Sequence, residues 1–412
     1  MMQGSANDRI RRQNLSAVLG HIHRHGPATR FELAAQTGLS RATVGMLAAE
    51  LDKMGLVREA SARKAAGPGR PVSHISAAES VAALAVSIEA RSIRARVLGL
   101  GRRTGPTARR ILDAVPTPEQ ASGIVTQLLA ELGADLPVGA RLAGVGIAVP
   151  GQVGQDRGVV GHAANLGWRN VPLGTLVATA TGLPTWVGND ATLGISATTA
   201  FGGGMGADDV VYLYGGSSGI GGGVITGGHL LNGATGYATE LGHIPIQPLG
   251  GLCACGARGC LETEVQASRL LDLAGLDALE FEALAQALAD SAHTALHQEV
   301  LRQMSWVVLA VRTLANIFNP SLVVLGGFIG AMHASLSAEE VEALTAGSFT
   351  VSPSRLEIQH APMGQDLILA GAAELVFRDL LAAPDLFSGP NRAAGWTRGC
   401  GPREQLGWTR LD

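Results

Sequence analysis

The chain has 412 residues, 46% hydrophobic and 16% charged, with a formal net charge of −3. That balance excludes a disordered chain, and the length exceeds one small core, so two or three domains are expected. No run of about 18 uncharged apolar residues and no apolar leader is present, so the expected compartment is the cytoplasm.

Residues 1–75 hold eleven Lys/Arg against five Asp/Glu, a basic head before an acidic remainder. A head that meets a polyanion has this distribution, although a solvated surface also permits it. Asn14–His25 reads as a helix, with Leu15, Val18, Leu19 and Ile22 on one face. Gly26-Pro27 stops it, Phe31–Thr37 reads as a second short helix, and Gly38 turns the chain. Ser40 stands where an N-cap belongs, before a third helix over Arg41–Lys53 whose Val44, Leu47, Ala48 and Leu51 form a buried stripe.

Helix, glycine turn, helix is the spacing of a helix-turn-helix, in which the start of the second helix reaches base edges. The residues so placed are Ser40, Arg41, Ala42 and Thr43, with Met46 one turn on. A three-helix bundle that packs on another protein is the competing reading. Beyond Leu56-Val57 lie a basic run, then Gly67-Pro68-Gly69-Arg70-Pro71, then Val72–Ile75. Strand, basic turn and strand make a wing whose Arg70 enters a minor groove; a plain linker has the same composition.

From about residue 80 the chain reads as an α/β body of two lobes. Strands are expected at 81–88, 93–100, 143–149, 185–188, 209–214 and 322–326, and helices at 119–132, 172–180, 191–200, 265–274, 280–297 and 299–317. Four constellations carry chemistry. Asn189-Asp190 ends a strand before a helix: its carboxylate can accept sugar hydroxyls, or take a proton from one in a kinase, or simply cap the helix. Gly215–Gly223 is either a phosphate cradle or a hairpin turn. His243 with Cys253, Cys255 and Cys260 makes a Cys₃His set, the pattern of structural Zn2+, against the alternative of three buried thiols. Glu240 and Glu262 flank that set and suit vicinal hydroxyls, or else lie on the surface.

Together these residues resemble the ROK family of sugar-responsive repressors and sugar kinases, from about residue 10 to 385. The most specific matches are Glu240-Leu241-Gly242-His243, the cysteine cluster and Gly259-Cys260-Leu261-Glu262. Arg12-Gln13-Asn14-Leu15, Thr37–Val44 and Gly69-Arg70-Pro71 resemble the repressor branch, and further matches lie at Gly146–Gly151, Asn165–Trp168, Gly188–Ala191 and Asn319–Gly327. The resemblance implies an actin-like, two-lobed sugar-kinase-like body behind a winged helix-turn-helix. It implies a head over 8–76, a first lobe over 80–200 completed by a helix at about 366–384, and a second lobe with the metal site over 201–365. It further implies sugar contacts from Asn165, Asn189, Asp190, Glu240, His243 and Glu262, with His243 also on the metal. Residues 389–412 are unlike the family and are expected to be disordered.

Three departures sharpen the reading. Family kinases carry Asp-x-Gly-x-Thr at the first strand for ATP phosphates and Mg²⁺; here the stretch is Ser87-Ile88-Glu89-Ala90-Arg91, so no phosphoryl transfer is expected. Gly45-Met46 replaces a polar pair in the recognition helix, and Thr239 stands where the family often has Gly. The expected function is a repressor whose operator affinity changes when a sugar or sugar phosphate enters the cleft, working as a homodimer or dimer of dimers on double-stranded DNA. The rivals are an active ATP-dependent sugar kinase with a DNA-binding head, and a DNA-binding protein whose body only dimerises or binds a partner.

Overall fold

A computed structural model describes residues 6–61, 73–134, 136, 139–154, 158–201, 206–234, 236–277, 283–290, 294–346, 356–361 and 366–387. The expected wing tip with Arg70 and the tail over 389–412 lie outside the described residues.

The head is α1 (Ala6–His25), β1 (Ala28–Thr29), α2 (Arg30–Thr37), α3 (Arg41–Lys53), β2 (Val57–Ser61) and β3 (Ser73–Ala77), with strand order β1-β3-β2. Local chemistry sets each boundary. Thr29 and Glu32 form a capping box that starts α2 one residue earlier than its apolar pattern. Gly38 ends α2 at φ 70°, and the Ser40 hydroxyl accepts the Thr43 N–H at 3.1 Å to open α3. Leu15, Val18, Leu19 and Ile22 of α1 meet Val44, Leu47 and Leu51 of α3 in a buried core.

The first lobe contains β4 (Val81–Ile88), β5 (Ser92–Gly99), β6 (Arg103–Ile111), α4 (Pro118–Ala134), β7 (Arg141–Val149), β8 (Gln152–Val153), β9 (Val160–Ala163), β10 (Trp168–Val171), α5 (Leu173–Thr181), β11 (Thr185–Asn189) and α6 (Asp190–Phe201). Its main sheet runs β11-β7-β4-β5-β6, parallel at β11/β7 and β7/β4 and antiparallel beyond. β6 escapes a hydrophobicity reading because it is an edge strand, rich in arginine and carrying Pro106.

The second lobe contains β12 (Val210–Gly216), β13 (Gly219–Thr226), β14 (His229–Leu230), α7 (Leu261–Glu264), α8 (Ala267–Ala274), α9 (Leu284–Ala289), α10 (Thr294–Phe318), β15 (Leu322–Gly326), α11 (Gly327–Ala334), α12 (Ala338–Thr345) and β16 (Glu357–His360). The sheet order is β14-β13-β12-β15-β16. The glycine run is a hairpin: Gly216 pairs with Gly219 across a Ser217-Ser218 turn. The helices expected at 280–297 and 299–317 divide elsewhere. The first stops at Asp290, which turns extended, and the second begins at Thr294 because no Gly or Pro interrupts it before Phe318.

α13 (Asp366–Ala382) returns to pack on α6, β4, β7 and β11. A side-chain carbon on Gly371 of α13 would lie 2.2 Å from the Leu193 carbonyl of α6, so only glycine permits this crossing. One continuous apolar cluster runs from the head through α6 and α13 to Tyr212 and Val324 of the second sheet. Among the described residues no helix is long and apolar enough to cross a membrane.

Candidate functional site

The second lobe gathers the cysteine cluster. One ligand atom each from His243, Cys253, Cys255 and Cys260 falls within 4.8 Å of the others. A tight turn builds it: Cys253 N–H donates to the Ala257 carbonyl at 2.8 Å, and Gly256 N–H to the Cys253 carbonyl at 2.9 Å. Gly259, at φ 69°, passes so close to the Gln247 carbonyl that a side-chain carbon would sit 1.5 Å from that oxygen. Cys253 and Cys260 are buried and Cys255 is exposed. Burial pushes the Cys253 and Cys260 thiols up. Three sulfurs and one imidazole at this separation fit a tetrahedral metal ion.

Glu262 connects this cluster to the cleft. Its Oε1 lies 2.9 Å from Cys253 Sγ and 3.4 Å from His243 Nδ1, while its Oε2 lies against Gly219 at the hairpin tip. Across the cleft, the Asn165 amide donates to the Ser218 carbonyl on that same tip. Asn189 is the N-cap of α6: its Oδ1 accepts the Thr192 N–H at 3.0 Å and its Nδ2 donates to the Gly151 carbonyl at 2.9 Å. The capping alternative therefore holds for Asn189, with one amide hydrogen left over for a ligand.

Asp190 follows, half-buried at the first turn of α6, and its carboxylate accepts the Ala191 N–H at 2.8 Å. Burial, helped by the charges of Glu89 and Glu240, pushes its carboxyl up to about 7. Burial also raises Glu240, which is opposed by His243 and by a hydrogen bond to Gln152. The cleft thus brings together Glu89, Asp190, Glu240, His243 and Glu262, an acceptor-rich surface suited to hydroxyl donors. Glu89 sits at the turn after β4, where its Oε2 accepts the Ser92 hydroxyl at 2.9 Å. Thr239, beside Glu240, has φ 67°, the left-handed region that suits glycine and strains a β-branched side chain.

In the head, Ser40 and Thr43 bond each other through their hydroxyls at 2.8 Å, so both serve the cap. The Arg41 guanidinium lies 4.6 Å over the ring of Phe31. Ala42 and Met46 face outward, and Met46 is 68% exposed.

Sequence reasoning missed three residues. Ser218 Oγ is enclosed at the hairpin tip without a hydrogen-bond partner among the described residues, a free donor facing the cleft region. Gln152 steers Glu240, and its only sequence signal is its place after the Pro150-Gly151 strand end. His23 is the third. It is 1% exposed and joins the head to the body: Gly101 N–H donates to its Nδ1 at 3.0 Å, so its Nε2 donates to Glu374 Oε1 at 2.8 Å. Its ring packs edge-on against Phe201, the last residue of α6, and Phe377 of α13. Its signal was its place four residues after Leu19 on the buried stripe.

Other bonds fix the head to the same lobe. Arg12 grips Asp385 with two parallel bonds, Arg141 donates to the Met54 and Gly55 carbonyls, and Arg102 donates to the Arg24 and Phe201 carbonyls.

Comparison with known proteins agrees with both halves of the chain. Residues 93–379 match the model of the ROK family, and residues 16–66 match a model of the MarR family. The chain is 30% identical over 295 residues to the glucokinase of Halalkalibacterium halodurans, covering 66% of this chain and 89% of that protein. It is 25% identical over 378 residues to the xylose repressor of Bacillus subtilis, covering 90% of this chain and 97% of that protein. A crystal structure of a ROK family transcriptional regulator, a homologue of the E. coli MLC protein, matches it in fold with a TM-score of 0.71 at 23% identity, over 91% of this chain and 98% of that one. A family match over well more than half of its length makes this chain a member of the ROK family.

Proposed function

We propose that this protein is a sugar-responsive, DNA-binding transcriptional repressor whose body senses a monosaccharide or its phosphate and does not phosphorylate it. The observation that carries the reading is the placement of α6. Its first residue, Asp190, lies in the cleft, and its last, Phe201, packs on His23 of the head. A helix of 12 residues spans about 18 Å. It lies against β12 and β13 of the second lobe on one side and α13 on the other. Sugar hydroxyls that donate to Asp190, Glu240 and Glu262 favour a particular lobe arrangement, and α6 carries that preference to the head. The sugar changes operator affinity only by as much as it prefers one arrangement over the other.

Zn2+ fits the Cys₃His set, with His243, Cys253, Cys255 and Cys260 as ligands. The ion would supply rigidity, holding the loop that presents Glu262. A homodimer would set two recognition helices about 34–36 Å apart, one turn of DNA.

The kinase reading has two observations in its favour: Asp190 stands where a base is needed, and a glucokinase relative is 30% identical. Glu89 weighs against it, because its carboxylate adds negative charge next to Asp190 where phosphates need neutralising. The test is a panel of neutral and phosphorylated monosaccharides against purified protein, with zinc measured on the same sample and ATP turnover assayed alongside. The proposal expects a thermal shift with at least one sugar, stoichiometric zinc and no sugar-dependent ATP hydrolysis. Brisk ATP hydrolysis that disappears in Asp190→Ala overturns it.

A further inference from the structure

Apart from Arg41, the outward face of the first turns of α3 is apolar, and exposed charge returns only at Asp52 and Lys53. Between Arg41 and Ala49 its exposed residues are Arg41, Ala42, Met46 and Ala49, and none of the nine residues is an amide or a carboxylate. Phe31, on α2 beside it, is 61% exposed. Several polar groups nearby already have partners. Ser40 and Thr43 hold each other in the cap, Arg30 pairs with Glu59 at 2.7 Å, and Arg41 is stacked on Phe31.

Hydrogen-bonded readout that singles out one base uses Arg or Lys for guanine, Asn or Gln for adenine, and Glu or Asp for cytosine, while Ser and Thr bond several bases without choosing. On this face only Arg41 belongs to that set, and the Phe31 ring fixes its direction. What the face otherwise offers is methyl, thioether and ring carbon. Among the four bases only thymine presents a methyl group in the major groove, on its C5. The head's positive charge draws it to the phosphates without choosing a sequence.

We infer that this head selects its operator through thymine 5-methyl groups packed on Met46, Ala42 and Phe31, with Arg41 as the single polar reader. The inference rests on the DNA-binding reading above and specifies its sequence preference.

Deoxyuridine provides the test, since it deletes the methyl and keeps every hydrogen-bonding edge. Duplexes are first selected from a random library with the full-length protein. Each thymine of the selected site is then replaced in turn and binding measured by fluorescence anisotropy. The expected result is one or two thymines in each half-site whose replacement weakens binding about fourfold, the worth of one buried methyl. Met46→Ala removes that sensitivity at one position, and Met46→Gln moves the preference there toward adenine. Equal binding of deoxyuridine at every position overturns the inference while leaving the DNA-binding reading intact. A selected site fixed by guanines alone does the same. Failure to enrich any duplex defeats both and favours a protein partner for this face.

Discussion

The two ends of α6 are built on opposite principles. At the cleft end, polar atoms are gathered with bonding capacity to spare: Asn189 keeps an amide hydrogen, the Asp190 carboxyl is pushed up to about 7, and Ser218 Oγ nearby has no partner among the described residues. At the head end the buried polar groups named above are matched: both His23 nitrogens are partnered, its ring is caged by Phe201 and Phe377, and Arg102 ties the Phe201 carbonyl to Arg24. An unfinished polar site accepts a ligand; a finished one transmits position. The difference teaches where the head is fastened: it is bonded to the first lobe at the last residue of α6, the point at which the proposed coupling would reach it.

Removing one member of the Cys₃His set tests the support beneath the cleft end. Cys260→Ala takes away a buried thiol of the proposed zinc site, and elemental analysis is expected to find the stoichiometric zinc gone. Calorimetry should then find no sugar binding, because Glu262 loses its anchor, while duplex binding by the distant head stays unchanged. Breaking the finished end has the next largest effect. His23→Ala leaves the Glu374 carboxylate and the Gly101 N–H enclosed without their partner, a loss of about 3 kcal/mol by urea unfolding. His23→Gln, which both donates and accepts, should recover part of it.

A smaller effect separates the ends by pH. Asp190 has its carboxyl raised from 3.8 to about 7 in the folded state. The native state therefore holds a proton across that window that the unfolded chain has lost, and stability falls as pH rises through it. Asp190→Asn removes the decline. Its gain over wild type should reach about 2 kcal/mol at pH 8 and vanish toward pH 4, checked by thermal unfolding across pH. Thr239→Gly gives the smallest change. Glycine in an ordinary loop costs stability, but here relief of the left-handed strain should bring a gain of up to about 1 kcal/mol in urea unfolding.

The head was the more legible region. α3 falls on Arg41–Lys53 with its cap and buried stripe where the apolar period puts them, because the helix is amphipathic and its boundary chemistry is local. In the body, the strands with continuous apolar runs were also visible, since both of their faces are covered. β6 was hidden because an edge strand need not be apolar, and the hairpin at Ser217-Ser218 stood level with a phosphate cradle because a run of glycines carries no periodicity to decide between them. The metal set could be read from residue type and spacing. Asp190, Glu240 and Glu262 could be picked out singly as hydroxyl acceptors, but that Glu89 joins Asp190 and Glu240 could not, since the turn after β4, the start of α6 and the Glu240 loop are brought together only by the fold. His23 reads as core in the sequence; only packing against α6 and α13 reveals it as a joint.

The central claim is that the cleft speaks to the head through α6. The direct measurement is binding of the selected duplex, by anisotropy, with and without the monosaccharide that gives the largest thermal shift, in wild type and in Asp190→Asn. The account predicts that the sugar changes wild-type duplex affinity at least about fivefold, the lower range for coupled sites, and leaves the affinity of Asp190→Asn unaltered. A sugar that binds wild type tightly yet leaves its duplex affinity the same would contradict it.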